Sequence, residues 1–357
     1  MPDYWASHSP ISQPGDDALV ALAALPPDIP SLHHAASQLV LHYRAEAAHV
    51  LLGRRAEIHT RYAADMLTRL LSRRPDLTDS SSSHSGGGAL YQHRRPADKT
   101  VGCCRDSALL LVSLARSKGL AARMRVGFSA YLEPGHMLDH TVAELWDAAA
   151  GRWRLVDADV PADWRCTVGG GRAKVDVLDL RPGVDFQTAP QAWQLVRRRR
   201  RRGDRAGKDG EEAAGAAAEE EEEEEEDKEE EEEEEKEEER RYAGFVGAPP
   251  QLRGQVFIAH HVLHDLAALD KTELLLWEEW GPRADYTEAL RDDAERRLMD
   301  EVAAVTARPD VRAEDVKSLL LRRPQLAVPE TVMLYDPYAL AAAPRPVDIR
   351  RAFKAKM

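Results

Sequence analysis

Two adjacent thiols, Cys103 and Cys104, open an apolar stretch that runs from Val101 to Leu111 (VGCCRDSALLL). A cysteine in the first turn of a buried helix meets the partial positive charge of the helix N-terminus, which favours thiolate over thiol. The unpaired N–H groups of that turn point at whatever the sulfur attacks. The chemistry such a residue suits is nucleophilic attack with stabilisation of the anion it creates. Cys104 fits the position better than Cys103, which precedes the helix and places its side chain on the loop side. The competing reading is packing, since free cysteine is among the most buried residue types.

A thiol nucleophile needs a base, and the base needs a carboxylate that fixes its tautomer and stabilises the imidazolium. His140 begins the segment HTVAELWD, and the next extended segment, WRLVDADV, contains Asp157 and Asp159. With a turn at Ala148 to Gly151, Asp147 pairs with Arg152 and His140 falls opposite Asp159; a shift of two residues puts it opposite Asp157. Both registers keep one face. That face also carries Val142, Trp146, Trp153 and Leu155, with Glu144 as its one polar misfit. A buried aspartate there requires a specific partner, and the histidine across the hairpin supplies one.

The elements that must hold these residues follow from periodicity. Residues 1–30 are rich in Pro, Ser and Asp and read as a disordered arm. Residues 31–100 read as one or two long helices, from the spacing of Leu39, His42, Tyr43, Ala47, Val50, Ile58, Tyr62, Met66 and Leu70, followed by a Ser/Gly loop. Residues 101–196 form the core. Arg105 to Lys118 is apolar over most of its circumference and stops at Gly119, and Ala121–Tyr131, His140–Trp146 and Trp153–Val160 alternate as strands. This is an α+β arrangement, a helix with an N-terminal cysteine packed on an antiparallel sheet, with flanking helical regions. Residues 197–240 are an Arg/Glu-rich insert expected to be disordered, residues 241–340 a helical C-terminal part of the same domain, and residues 341–357 a tail.

The combination resembles the transglutaminase-like superfamily. The resemblance is carried by a glycine-x-cysteine-arginine sequence opening an apolar helix, followed by the strand pair DHTVAELWD and RWRLVDADV. It extends to a bacterial and fungal branch through ARMRVGFSAYLEPGHMLDHTVAELWD, AWQL (Ala192 to Leu195) and HDLAALDKTELLLWEEWG (His264 to Gly281), which lie on both sides of the Glu-rich tract. The resemblance implies a papain-like fold, a nucleophile at Cys104, a base at His140 and a third member at Asp157. It also implies acyl transfer through a thioester, resolved by water or by an amine, on a protein or peptide substrate. The sequence departs from the pattern at Cys103, where a polar residue such as asparagine is expected. The second oxyanion donor is not evident; Gln92 and Tyr91 are candidates by position alone, and the Cys104 N–H is the one donor named.

Composition narrows the remaining classes. The net charge of −13 belongs to one segment, since Arg197–Arg240 holds 23 Asp/Glu against 11 Lys/Arg while the rest holds 39 against 38. No basic excess suited to nucleic acid is left. The acidic insert is a candidate contact for a basic partner; its six consecutive arginines could bind a polyanion or an import receptor, but the adjoining Glu tract neutralises them. Three cysteines, two of them adjacent, fit neither a disulfide framework nor a thiolate metal site. With no membrane-spanning or signal-like run, the expectation is a cytoplasmic protein, a nuclear location remaining open. His260 and His264, four residues apart in HHVLH, have two-histidine metal spacing. Beyond Asp265 no third ligand is evident, so they read as surface or packing residues, and neither metal nor cofactor is expected. Arg105 and Asp106 read as a structural pair, His136 as a loop residue, and Asp139 as a turn carboxylate or a border of the site.

Overall fold

In the computed structural model, which describes residues 2–74, 88–168, 171–198, 241–246, 248, 252–281, 293–339 and 342–350, the N-terminal third is built from short pieces. The arm expected over residues 1–30 instead packs onto the body. A 3₁₀ turn over Pro2–Ala6 presents Trp5, which is 2% exposed. Its ring lies 4.6 Å from the Arg123 guanidinium, and its indole N–H donates to the Leu269 carbonyl at 3.1 Å. Trp5 does not act alone: Ile11, Leu22 and Leu25 are buried as well, and together this apolar burial works against the ordering entropy of the arm.

Helix α1 spans Leu19–Ala23 and α2 spans Ile29–Ser37, started by Asp28, whose carboxylate accepts the Ser31 N–H at 2.9 Å. The long helices expected beyond this point do not form. Val40–His42 is strand β1, the next stretch holds only 3₁₀ turns (Ala47–His49 and Leu52–His59), and α-helix resumes only at α3, Ala63–Arg73. The reason is non-local: β1 pairs in parallel with β2, Thr100–Gly102, in the register His42↔Gly102, and that ladder overrides local spacing.

Helix α4, Cys104–Ser117, follows β2 directly and ends where Gly119 takes a φ of +75°. Strands β3 (Ala122–Ser129), β4 (Met137–Asp147) and β5 (Arg152–Val156) form an antiparallel meander. The β4–β5 turn has the Asp147↔Arg152 register, with the Asp147 carboxylate accepting the N–H groups of Ala149 and Ala150. A separate hairpin joins β6 (Arg165–Val168) to β7 (Gly171–Lys174). Strand β8 (Phe186–Thr188) then pairs with β3. Gly127 is obligatory at that junction, because a Cβ there would lie 2.0 Å from the Gln187 carbonyl oxygen.

Past β8, helix α5 covers residues 189–198 and strand β9 (Tyr242–Ala243) joins β4 in parallel, completing a sheet ordered β5-β4-β3-β8 with β9 beside β4. The Arg/Glu-rich insert lies outside the described residues from 199 to 240. Helices α6 (Gly254–Leu269), α7 (Asp293–Thr306) and α8 (Ala313–Arg322) follow. The C-terminal part is not purely helical: β10 (Glu278–Glu279), β11 (Thr331–Leu334) and β12 (Arg345–Asp348) make a small antiparallel sheet that includes part of the expected tail.

The main sheet therefore lies between two helical layers, an α+β fold. Ala122, Met124, Ala143 and Leu145 face α2, α3 and α4 in one apolar cluster. The opposite face is charged as well as apolar. Glu144, the misfit of the hairpin, accepts from Arg123 Nε at 2.5 Å and from Arg125 at 3.4 Å. Arg125 in turn holds Asp265 of α6 through two bonds of 2.8 and 2.9 Å. The guanidinium fork on the carboxylate locks α6 to β3. No helix among the described residues is long and apolar enough to cross a membrane.

Candidate active site

Cys103 sits at the entry to α4 in extended backbone, and Cys104 is the first residue of the helix. The start is pinned by Asp106, whose Oδ2 accepts the Cys103 N–H at 2.9 Å while its Oδ1 accepts from Arg105 at 2.8 Å. Arg105, fully buried, also donates to the carbonyls of Leu274 at 3.1 Å and Arg61 at 2.9 Å. The Arg105–Asp106 pair thus fastens the helix start to the segment after α6. Gly102 leaves room for it, since a Cβ at that position would lie 2.4 Å from Asp106 Oδ2.

His140 and Asp157 are brought into direct contact, Nε2 to Oδ2 at 2.9 Å, both side chains at most 2% exposed. Extrapolating the hairpin register puts Asp159 opposite His140, but the ladder ends at Ala143↔Val156. Beyond it the chain turns away: the Asp157 N–H donates to Val177 O at 2.8 Å, and His33 Nε2 meets the Asp157 carbonyl at 2.8 Å. Asp157, not Asp159, is left facing the imidazole. Its carboxylate has further partners, the Tyr131 hydroxyl on Oδ2 and the Asp159 N–H on Oδ1 at 2.8 Å. Asp159 bonds Ser107 of α4 at 2.9 Å and lies 3.9 Å from His42 Nε2.

The electrostatics follow from burial and charge. Burial alone would lower the His140 pKa, but the Asp157 charge and hydrogen bond, with Asp159 and Asp139 behind them, raise it above the usual histidine range. Burial would raise Asp157; His140, Tyr131 and the Asp159 N–H outweigh it and hold the carboxyl below its ordinary value. Cys104 is pushed well above its ordinary value by a hydrogen bond with Cys103, by burial, and by the charges of Cys103, Asp159 and Asp139. That differs from the thiolate expected from the helix terminus alone, because the Cys103 hydrogen bond and burial, with smaller contributions from the nearby acidic groups, outweigh the dipole.

Cys103, Cys104, His140 and Asp159 line one cavity of ≈ 570 Å³. Its walls include His42 at the end of β1 and Tyr43 after it, Trp164, Phe257 and His260 of α6, and Trp277. Neither Gln92 nor Tyr91 lines it; the Tyr91 ring packs on His34 at 4.4 Å. Periodicity had absorbed His42 into a helix, and only its pairing with Gly102 carries it to the cysteines. Asp139 borders the cavity and lies 3.8 Å from His261 Nε2. His260, His261 and His264 are all buried rather than on the surface.

Fold and site together define a papain-like α+β core. Residues 76–158, a segment that contains Cys104, His140 and Asp157, match the family model of the transglutaminase-like superfamily. The matched segment ends before the Glu-rich tract, so the likeness read from His264–Gly281 lies outside it. A crystal structure of a proposed cysteine protease from Cytophaga hutchinsonii is similar over 44% of this chain and 46% of that one, at 18% identity and a TM-score of 0.16. The chain thus spans less than half of that protein's length. Comparison with curated proteins gives no match.

Proposed function

We propose that the protein is a cysteine-dependent acyl-transfer enzyme acting on amide bonds of a protein or peptide, with Cys104 as nucleophile, His140 as base and Asp157 as the group that orients it. The observation that carries this reading is that His140, paired with the buried Asp157 behind it, lines the same cavity as the helix-start Cys104. With His140 Nε2 engaged by Asp157, Nδ1 is the ring nitrogen that takes the Sγ proton. The sulfur then attacks the carbonyl carbon, the C–N bond breaks as the departing amine takes that proton from Nδ1, and a thioester remains. Water or an amine attacks the thioester, losing its proton to His140, and restores the thiol.

Two N–H groups serve the tetrahedral oxyanion in this scheme. One is the Cys104 N–H at the helix start; the other is His42 Nε2–H. His42 Nδ1 accepts the N–H groups of Ala45 at 3.1 Å and Arg44 at 3.3 Å, which leaves the proton of the neutral ring on Nε2. Alkylation of Cys104 by iodoacetamide, mapped by peptide mass, tests the assignment. The expected result is rapid labelling that is lost in His140→Ala. Equally slow labelling of both proteins at neutral pH overturns it.

A second reading is a binding protein that keeps the fold without turnover, its acidic insert contacting a basic partner. It is favoured by the raised Cys104 thiol and the 5% exposure of that residue. Deleting residues 197–240 separates the two. A catalyst keeps its thiol reactivity, whereas a binding protein loses its partner in a pull-down.

A further inference from the structure

His260 and His264 stand one turn apart on α6, and Glu279 arrives from β10 to face them. One donor atom from each of the three lies within 4.8 Å of the others, and all three residues are buried. We propose that His260, His264 and Glu279 form a binding site for a divalent transition-metal ion of the Zn²⁺ type, placed in the wall of the cavity through His260.

The ring contacts fit that role one by one. His260 Nδ1 points at the carboxylate, 2.9 Å from Glu279 Oε1, while Nε2 lies 3.1 Å from the Leu276 carbonyl. A histidine that ligates through one nitrogen characteristically donates the other N–H to a carbonyl or carboxylate, which fixes its tautomer and orientation. With a metal on Nδ1, the Nε2–H donates to Leu276 and both nitrogens are satisfied by a neutral ring. His264 has its own backbone anchor, a hydrogen bond with Glu278. Its Nε2 is buried with no hydrogen-bond partner. A buried polar atom left unpaired is costly, and a metal ion is a partner that removes the cost.

The surroundings favour the same ion. Trp280 packs edge-on to His264 at 5.2 Å and Phe257 stacks near His260 at 6.1 Å, giving the apolar shell that keeps bulk water from the ligands. Two imidazoles and one carboxylate are the donor set of zinc and its neighbours, whereas calcium and magnesium require oxygen ligands in greater number. Ligand bonds of about 2.0–2.2 Å bring tetrahedral donors to about 3.4 Å from one another. The present donors, within 4.8 Å of one another, are required by the proposal to draw in to that spacing when the ion binds. Of the neighbouring groups, Glu278 holds Arg61 and the Leu275 N–H, and His261 bonds the Phe257 carbonyl through Nδ1 at 3.0 Å while its Nε2 lies 3.8 Å from Asp139. None of Cys104, His140 and Asp157 takes part, so the site stands independently of the acyl-transfer reading. Three protein donors leave one position for water or for an anionic group of a bound molecule.

The full chain, stripped with a chelator and freed of it, is titrated with Zn²⁺ for stoichiometry and with Co²⁺ for its visible absorption. His264→Ala, Glu279→Gln and a Cys103→Ser/Cys104→Ser double variant are measured beside it, with circular dichroism to check folding. The expected result is one tightly held ion per chain, affinity lower by at least about tenfold in His264→Ala and in Glu279→Gln, and unchanged affinity in the double-cysteine variant. If His264→Ala does not fold, Glu279→Gln, which keeps shape and hydrogen bonding, carries the comparison. Absence of binding in the wild-type chain overturns the proposal, as does wild-type affinity in both ligand variants. Loss of binding in the double-cysteine variant does so too, since it moves the ion to the thiols.

Discussion

Asp157→Asn separates charge from shape at the centre of the site. The amide keeps the size of the side chain and one bond to His140 but removes the charge, the largest influence holding that imidazole above its ordinary pKa; burial, which acts the other way, is left in command. The imidazolium that must accompany a Cys104 thiolate is then disfavoured. Removing one member of a buried pair costs about 3–5 kcal/mol, and each 1.4 kcal/mol is about a factor of ten in population. Because the amide retains a hydrogen bond, the lower end applies, and the thiolate–imidazolium form should fall by about a hundredfold. The assay is the second-order rate of iodoacetamide alkylation from about pH 5 to 10, resolved between Cys103 and Cys104 by peptide mapping. The rate at neutral pH should drop by about two orders of magnitude, with Cys104 reactivity recovering only in the alkaline range, where the unassisted thiol ionises. A Cys104 profile identical in both proteins would refute the coupling of thiol, imidazole and carboxylate.

Three further perturbations address the scaffold. Gly127→Ala drives a methyl group into the Gln187 carbonyl and should cost about 2–4 kcal/mol in urea unfolding; a loss below about 0.5 kcal/mol would show that the β3–β8 contact is not close. Trp5→Ala removes the ring over Arg123 and the bond to Leu269, and a loss of about 3–5 kcal/mol is expected, against almost none for a loose arm. Glu57 is held down to about 2, burial being outweighed by Arg54, Arg73 and the Val101 N–H. Its folded pKa lies below the unfolded value, so its contribution is complete above about pH 4.5 and is lost as pH falls toward 2; Glu57→Gln should flatten acid unfolding over that window by about 1–2 kcal/mol after solvent screening.

The sequence by itself determined what depends on neighbours along the chain. The helix beginning at Cys104 and ending before Gly119, a hairpin between the His140 and Trp153 strands and the α+β class follow from periodicity, a glycine stop and a short turn, whereas the Asp147↔Arg152 register, one of two the sequence left open, was fixed by the structure. Those signals act over a few residues, and at these positions packing left them in place. Tertiary structure decided which side chains meet. The ladder breaks after Val156 because the Asp157 backbone finds Val177 and His33 instead, and that break sets Asp157 rather than Asp159 against His140. The pairing of Val40–His42 with Thr100–Gly102 carries His42 to the cavity, and Trp5 folds the arm back onto Arg123. Glu279 reaches two histidines whose spacing alone named no third partner. Contacts of this kind join residues far apart in the chain, and their energies arise from burial and charge pairing that no local pattern encodes.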